Sequence, residues 1–355
     1  MKIAQIAPLI ESVPPKLYGG TERVVSYLTD ELVRQGHDVT LFASGDSRTS
    51  ANLVACTDQA LRLNERCTDA TPHHVLQLEK VRQRAHEFDV LHFHVDYIHF
   101  PLFRNLFHKT ITTLHGRQDL ADLHPLYAEF RDAPLVSISN AQRRPLQDMR
   151  WVGTVYHGLP SGTCQFNAHA SGDYFAFLGR ISPEKRLDRA IQIARAVDLP
   201  IKVAAKIDKA DEAYFHERIE PLLNDDLVEF VGEIGEEDKG EFLGNARALL
   251  FPIDWPEPFG LVMIESMSCG TPVIAWNEGS VSEIIDHGVT GYVVDNIEDA
   301  IQAATKLSEL DRATVRERYE RRFTAEIMAR RYGALYRQLL SRNEALATAL
   351  RTRVA

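Results

Sequence analysis

Short apolar runs of strand length alternate with amphipathic stretches of helix length along most of the chain. In the first half the apolar runs fall at 2–8, 39–43, 90–95, 110–114 and 135–139, with 153–157 closing the series. Between the first two, Val24, Val25, Leu28 and Leu32 recur at three- and four-residue spacing, which predicts a helix over 21–35 stopped by Gly36. A second helix is predicted at 75–86. In the second half the runs fall at 174–178, 201–205, 228–232, 249–253, 272–276 and 291–294, with helices expected at 184–197, 212–223, 260–268 and 297–307. Strands alternating with helices predict parallel sheets covered on both faces, an α/β protein.

The alternation lapses at 160–172, where Ser, Gly, Asn, Thr and Ala show little periodicity, and this stretch reads as a linker. The chain then divides into domains at 1–160 and 161–322, with a tail at 323–355. In the tail, Ile327, Tyr332, Leu335, Tyr336, Leu339 and Leu340 form a helical stripe with arginines between them.

With 355 residues the chain is long enough for two cores. Hydrophobic content of 45% and charged content of 25% are those of a soluble globular protein, and a formal net charge of -10 argues against a nucleic-acid partner. The four cysteines lack C-x2-C spacing, which fits a reducing cytoplasm without a zinc site. The opening MKIAQIAPLI is too weakly basic for a signal peptide and reads as a first strand. No run approaches the ~18 apolar residues of a membrane span.

The stretch from Leu249 to Gly279 carries the densest chemistry. Pro256 and Pro258 force a loop after a buried strand, and Pro258 holds Glu257 in extended backbone. A helix starting near Gly260 would aim the amides of Phe259, Gly260, Leu261 and Val262 at an anion such as phosphate. Glu265, one to two turns into that helix, can share the crevice. Carboxylates repel phosphate but accept hydrogen bonds from hydroxyls, so a ligand with both groups fits, and a sugar nucleotide is one. Arg180 ends a strand and Lys185 is expected to open the next helix; two cations there could neutralise a diphosphate, although solvated surface charges are their usual fate. Gly19-Gly20 lies between the first strand and helix, where the chain can fold over a ligand or simply turn. His115 follows a strand and should stand at its carboxyl end. His92, His94 and Asp96 alternate and would share one face of a strand; H-x-H beside an acid can hold a metal, but a structural role is the better reading. No G-x-G and no G-K-[ST] occurs, which removes the dinucleotide fingerprint and the P-loop.

Glu257 and Glu265, with Phe259-Gly260 between them and GTPV after, resemble the E-x7-E signature of family 4 retaining glycosyltransferases. Gly179-Arg180 through Glu184-Lys185 resembles that family's G-R-x-x-x-E-K segment. The resemblance implies the GT-B fold: two facing Rossmann-like domains with a cleft between, and a last helix crossing back to the first domain. It implies transfer of a sugar from a UDP-, GDP- or ADP-sugar to an acceptor hydroxyl, with retained configuration, no cofactor and no metal. By the same resemblance Arg180 and Lys185 stabilise the leaving diphosphate, Glu257 orients the sugar, Glu265 binds the ribose, and backbone at Ile234 meets the base. Gly19-Gly20 then faces the donor phosphates and the acceptor, and His115 touches the donor sugar. Two departures stand out: Arg186 where the family has glycine after the lysine, and Gly279-Ser280 where it often has Gly-Gly.

The acceptor, a glycan, lipid or small molecule, is not named by the residues; Tyr18 and the 94–97 region are expected to shape its pocket. A sugar-nucleotide epimerase or hydrolase shares this architecture, a phosphorylase would need pyridoxal phosphate, and a two-domain sugar-binding protein would do no chemistry. The tail stripe has one alternative reading as a basic helix on a membrane surface, with Arg143, Arg144 and Arg150 as a second basic patch, which the acidic net charge disfavours.

Overall fold

The computed structural model describes residues 1–16 and 19–354, with side chains described as far as Arg342. The chain forms two compact units, Met1–Gly158 together with the terminal helix Ala325–Val354, and Leu159–Thr324.

Unit 1 is built on seven parallel strands: β1 (Lys2–Ile6), β2 (Asp38–Ser44), β3 (Asn52–Thr57), β4 (Val90–Phe93), β5 (Thr110–Thr113), β6 (Leu135–Ser137) and β7 (Trp151–Thr154), in the order β3-β2-β1-β4-β5-β6-β7. Ile3, Ala4 and Ile6 of β1 are wholly inaccessible, as expected for a central strand covered on both faces. The helix Gly20–Arg34 buries Val24, Val25, Leu28 and Leu32, the predicted stripe. The terminal helix belongs to this unit because its tyrosines reach the sheet. Tyr336 lies 2.7 Å from His92 Nδ1 and accepts from Gln5 Nε2 at 3.2 Å, and Tyr332 shares a 2.9 Å hydrogen bond with Thr113.

Unit 2 has six parallel strands: β8 (Phe175–Arg180), β9 (Ile201–Lys206), β10 (Val228–Gly232), β11 (Ala248–Phe251), β12 (Val273–Trp276) and β13 (Gly291–Val294), in the order β10-β9-β8-β11-β12-β13. Arg312, at the start of the helix Arg312–Arg322, donates to the carbonyls of Asn167, Gly244 and Ala246 and to Thr271 Oγ1, which pins the 160–172 stretch against the sheet.

Each sheet reverses its strand order once, between β1 and β4 in unit 1 and between β8 and β11 in unit 2. Chain leaving the carboxyl ends of such neighbours diverges to opposite sides and opens a crevice there. Pro8, Ile10 and the segment after His94 leave the first pair; Arg180 and the 252–260 loop leave the second.

Four departures from the pattern-based reading have a clear local cause. The edge strand β3 was not anticipated: its short apolar run, Leu53–Cys56, is half exposed at the sheet edge and follows β2 with no helix between them. The helix expected at 212–223 breaks into an α turn, a π turn over Phe215–Ile219 and a 3-10 turn over Glu220–Leu222, because Pro221 has no N–H and its ring crowds the preceding turn. The helix expected from 184 begins at Leu187, so Lys185 closes a 3-10 turn, Pro183–Lys185, instead of opening the helix. His94 and Asp96 lie beyond the end of β4, and Asp96 has φ 50, so the alternation that would place both on one strand face stops before them.

Candidate active site

In unit 2 the crevice at the β8/β11 switch point is shaped by three loops. The first runs from Arg180 to Arg186. Arg186 sits in the left-handed region at φ 52, ψ 50, the conformation glycine adopts freely, which explains the glycine expected there. Here the strain is offset by ion pairs to Asp188 and Asp254, both at 2.8 Å, which also raise the arginine pKa further. The Asp254 amide donates to the Glu184 carbonyl at 2.8 Å and ties this loop to the next.

The second loop carries Glu257. Its amide donates to the Trp255 carbonyl at 2.8 Å, a tight turn set by the flanking prolines. Its carboxylate accepts from Trp255 Nε1 at 3.0 Å and from Lys185 Nζ, and the ammonium also sits 5.4 Å from the Phe251 ring centre and 5.1 Å from that of Trp255. Glu257 and Lys185 are therefore one fixed unit, lodged among aromatic rings. Gly260 follows at φ 79 and starts the helix Leu261–Ser268; the Met263 amide donates back to the Gly260 carbonyl at 3.1 Å, and the amides before it stand ahead of the helical ladder. A side chain on Gly260 would meet Met263 Cε at 2.8 Å.

The third loop, after β12, braces the second. A Cβ on Gly279 would lie 2.3 Å from the Glu257 carbonyl oxygen and 2.4 Å from its nitrogen. Ser280 donates from its amide to the Glu257 carbonyl at 3.0 Å and from its hydroxyl to the Phe259 carbonyl at 2.9 Å. Gly279 is thus required, while serine at 280 adds a hydrogen bond that a second glycine could not make.

Glu265 is buried at 3% exposure, on the first turns of the helix as expected. Its carboxylate accepts from Lys239 Nζ at 2.8 Å. Lys239 was missed by sequence reasoning; it lies on the helix Glu236–Gly244, which starts after the loop holding Ile234 and Gly235, and it also contacts Glu236 at 3.3 Å. The helix-compatible E-x-x-K spacing was the available signal. Arg180 has its own set of carboxylates, Asp211 at 3.6 Å, Asp208 at 3.8 Å and Glu184 at 4.0 Å, while the Lys185 ammonium pairs with Glu257.

In unit 1, His115 stands just past β5, at the strand's carboxyl end as expected. A directed chain of hydrogen bonds fixes it. Gln5 donates to Tyr336, so its carbonyl oxygen accepts from His94 Nε2 at 2.7 Å; His94 Nδ1 then accepts from His115 Nε2 at 2.9 Å. His157, also unanticipated, stacks on His115 with ring centres 5.3 Å apart. Burial pushes the His115 pKa down to about 3 and those of His92, His94 and His157 well below the usual histidine range, so the cluster is neutral at pH 7. Both ring nitrogens of His92 and of His94 are engaged in hydrogen bonds, which is the structural role preferred for the H-x-H pair. Among the described residues no group of three or more His, Cys, Asp or Glu is arranged to hold a metal. Gly19 and Gly20 open the helix Gly20–Arg34, and a side chain on Gly19 would meet Pro15 Cβ at 2.8 Å. The neighbouring Leu17 and Tyr18 lie outside the described residues. Among the described residues no helix is long and apolar enough to cross a membrane.

Residues 165–322 match the family described as Glycosyl transferases group 1, and residues 18–153 match Glycosyltransferase Family 4. The O-antigen chain mannosyltransferase C of Escherichia coli is 24% identical over 367 residues, covering 92% of this chain and 96% of that one. The solved sucrose-phosphate synthase of Thermosynechococcus elongatus superposes with a TM-score of 0.77 at 19% identity, over 96% of this chain and 99% of that one. The Anabaena protein HepE in complex with UDP and glucose superposes with a TM-score of 0.71 at 19% identity, over 94% and 98%. Both units are matched in sequence, and the shared architecture is that of glycosyltransferases; the chain belongs to the GT-B glycosyltransferases of the family 4 and group 1 type.

Proposed function

We propose that this glycosyltransferase moves a sugar from a nucleoside diphosphate sugar to an acceptor hydroxyl with retained configuration and without a metal ion. The observation that carries the reading is the Lys185–Glu257 pair, held among aromatic rings beside the amino end of the helix Leu261–Ser268, in the switch-point crevice of unit 2. A cation, helix-end amides and a carboxylate in one place suit a ligand that has both phosphate and hydroxyl groups. UDP, bound by the HepE structures, is the first donor base to test.

In this reading Lys185 and Arg180 receive the charge that develops on the departing diphosphate, with help from the amides of Phe259, Gly260, Leu261 and Val262. Glu257 accepts hydrogen bonds from sugar hydroxyls and Glu265 from the ribose, while Ile234 offers backbone to the base. Gly19, Gly20 and His115 of unit 1 are assigned to the donor phosphates and sugar by resemblance. The bond from the anomeric carbon to the diphosphate breaks as the acceptor oxygen bonds on the same face, and the acceptor proton leaves with the diphosphate.

The test is a thermal-shift series with UDP, GDP and ADP, each with and without EDTA. Binding to the folded state raises the melting temperature by linkage. One nucleotide should stabilise wild type, unaffected by EDTA, and fail to stabilise Glu265→Ala. Stabilisation by none of the three would remove the nucleotide-sugar donor, and stabilisation abolished by EDTA would remove metal independence.

A further inference from the structure

Unit 1 holds an open cavity of about 730 Å³ where the chain leaves β1 and β4. Its composition is lopsided. Pro8 and Ile10 form one side, and Val75, Ile98 and Leu102 project into it from the others. Those last three are 53%, 41% and 48% exposed, which is unusual for aliphatic side chains grouped on one surface of a folded unit. The histidines that line it are neutral, and the one charged residue on its wall among the described residues is Asp96. Asp96 takes a left-handed backbone conformation, φ 50, immediately beyond the strand end, a strained geometry of the kind that clusters at ligand sites.

These features exclude one class of ligand and fit another. A phosphorylated or carboxylated molecule would meet an aspartate and mostly apolar walls, with no lysine or arginine among the described lining residues to offset its charge. A carboxylate instead accepts hydrogen bonds from hydroxyls, and the exposed aliphatic side chains gain by being covered. We propose that this cavity seats the acceptor, and that the acceptor is an uncharged molecule in which a sugar or polyol is joined to an apolar group, its hydroxyls on Asp96 and its apolar group against Val75, Ile98 and Leu102. The inference rests on the glycosyltransferase reading and deepens it by naming the acceptor class. Asp96 itself stays exposed, so its carboxylate is open to a hydroxyl donor, and the apolar side chains beside it push its pKa up to about 6.

The test is a set of calorimetric titrations without nucleotide, using n-octyl β-D-glucoside below its micelle concentration, D-glucose and D-glucose 6-phosphate. The octyl glucoside should bind at least about tenfold more tightly than glucose, since several methylenes leave water. Glucose 6-phosphate should bind more weakly than glucose, and Asp96→Asn should narrow that gap. Leu102→Asp and Val75→Asp, both at exposed positions, should each weaken octyl glucoside about tenfold. Leu63→Asp, an exposed leucine outside the cavity wall, should leave it unchanged. Octyl glucoside binding no more tightly than glucose 6-phosphate, or losing affinity equally in Leu63→Asp and Leu102→Asp, would overturn the proposal. UDP binding is measured on the same wild-type sample. Its failure would count against the donor reading alone, because the glucoside titrations contain no nucleotide.

Discussion

Lys185 donates to the carboxylate of Glu257, 72 positions away in sequence, and the pair is enclosed by the Phe251 and Trp255 rings. The lysine side chain is 19% exposed and the glutamate 11%, so neither charge is cheaply replaced by water. A diphosphate arriving in the crevice would draw the ammonium toward itself, and sugar hydroxyls would take its place on the carboxylate. Lys185→Ala should then lower kcat by roughly 10²-fold or more, because the lost interaction is strongest as charge develops on the leaving group. Lys185→Arg should recover little, since a planar fork does not fit a site shaped for a point charge. Near-normal turnover in Lys185→Ala would take the lysine out of the mechanism.

Lys239 and Glu265 form a second buried pair, at 2.8 Å, on two different helices. Glu265 is almost inaccessible, so Lys239→Met would leave a carboxylate with no cation to balance it. We expect a cost of about 2 kcal/mol, below the ~3–5 kcal/mol of a fully buried pair because Lys239 keeps some contact with water. The double variant Lys239→Met/Glu265→Gln should regain most of that loss, and a double-mutant cycle on urea midpoints reads the coupling. Additive losses would show that the two residues are independent.

Gly279 and Gly179 offer a matched comparison. A methyl group on Gly279 would fall 2.3 Å from the Glu257 carbonyl oxygen, in a backbone at φ 57, whereas one on Gly179 meets nothing within 4 Å. Gly279→Ala should destabilise by about 1–3 kcal/mol and displace the Glu257 loop, lowering kcat. Gly179→Ala should melt within a degree or two of wild type, because it adds no clash and reduces the freedom of the unfolded chain. Equal activity in the two variants would show that Gly279 does not set the position of Glu257.

The central strands were legible because a parallel strand covered on both faces is rich in apolar residues and sits in a repeating series with helices: β8 and β11 read as apolar runs, and β1 and β4 do so around the single polar residues Gln5 and His92. The loop carrying Glu257 was legible because two prolines leave the backbone few choices. What could not be read were partners brought together by the fold. Lys239 is 26 positions from Glu265, and Gln5 is 89 from His94; nothing local links either pair. The left-handed turn at Arg186 was equally hidden, because its strain is offset by Asp254, which arrives from another strand.

The buried histidines of unit 1 make a prediction about acid. His74, His92, His94, His99, His115 and His157 all have pKa values lowered by burial, to about 3 for His99 and His115. In the unfolded chain they titrate near 6.5. Below that value the unfolded state binds protons the folded state refuses, so stability is full above pH ~6.5 and falls as pH drops, by at most about 1.4 kcal/mol per histidine per unit. Glu22, raised by burial, and Asp96, raised by the apolar side chains beside it although it stays exposed, act in the opposite direction, but they are two groups against six. All eight belong to unit 1. Between pH 7 and pH 5, hydrogen exchange corrected for intrinsic rates should therefore lose protection first in peptides from β1, β4 and β5, while peptides from β8 and β11 keep theirs. Simultaneous loss in both units, or earlier loss in the second, would mean that this histidine cluster does not govern acid stability.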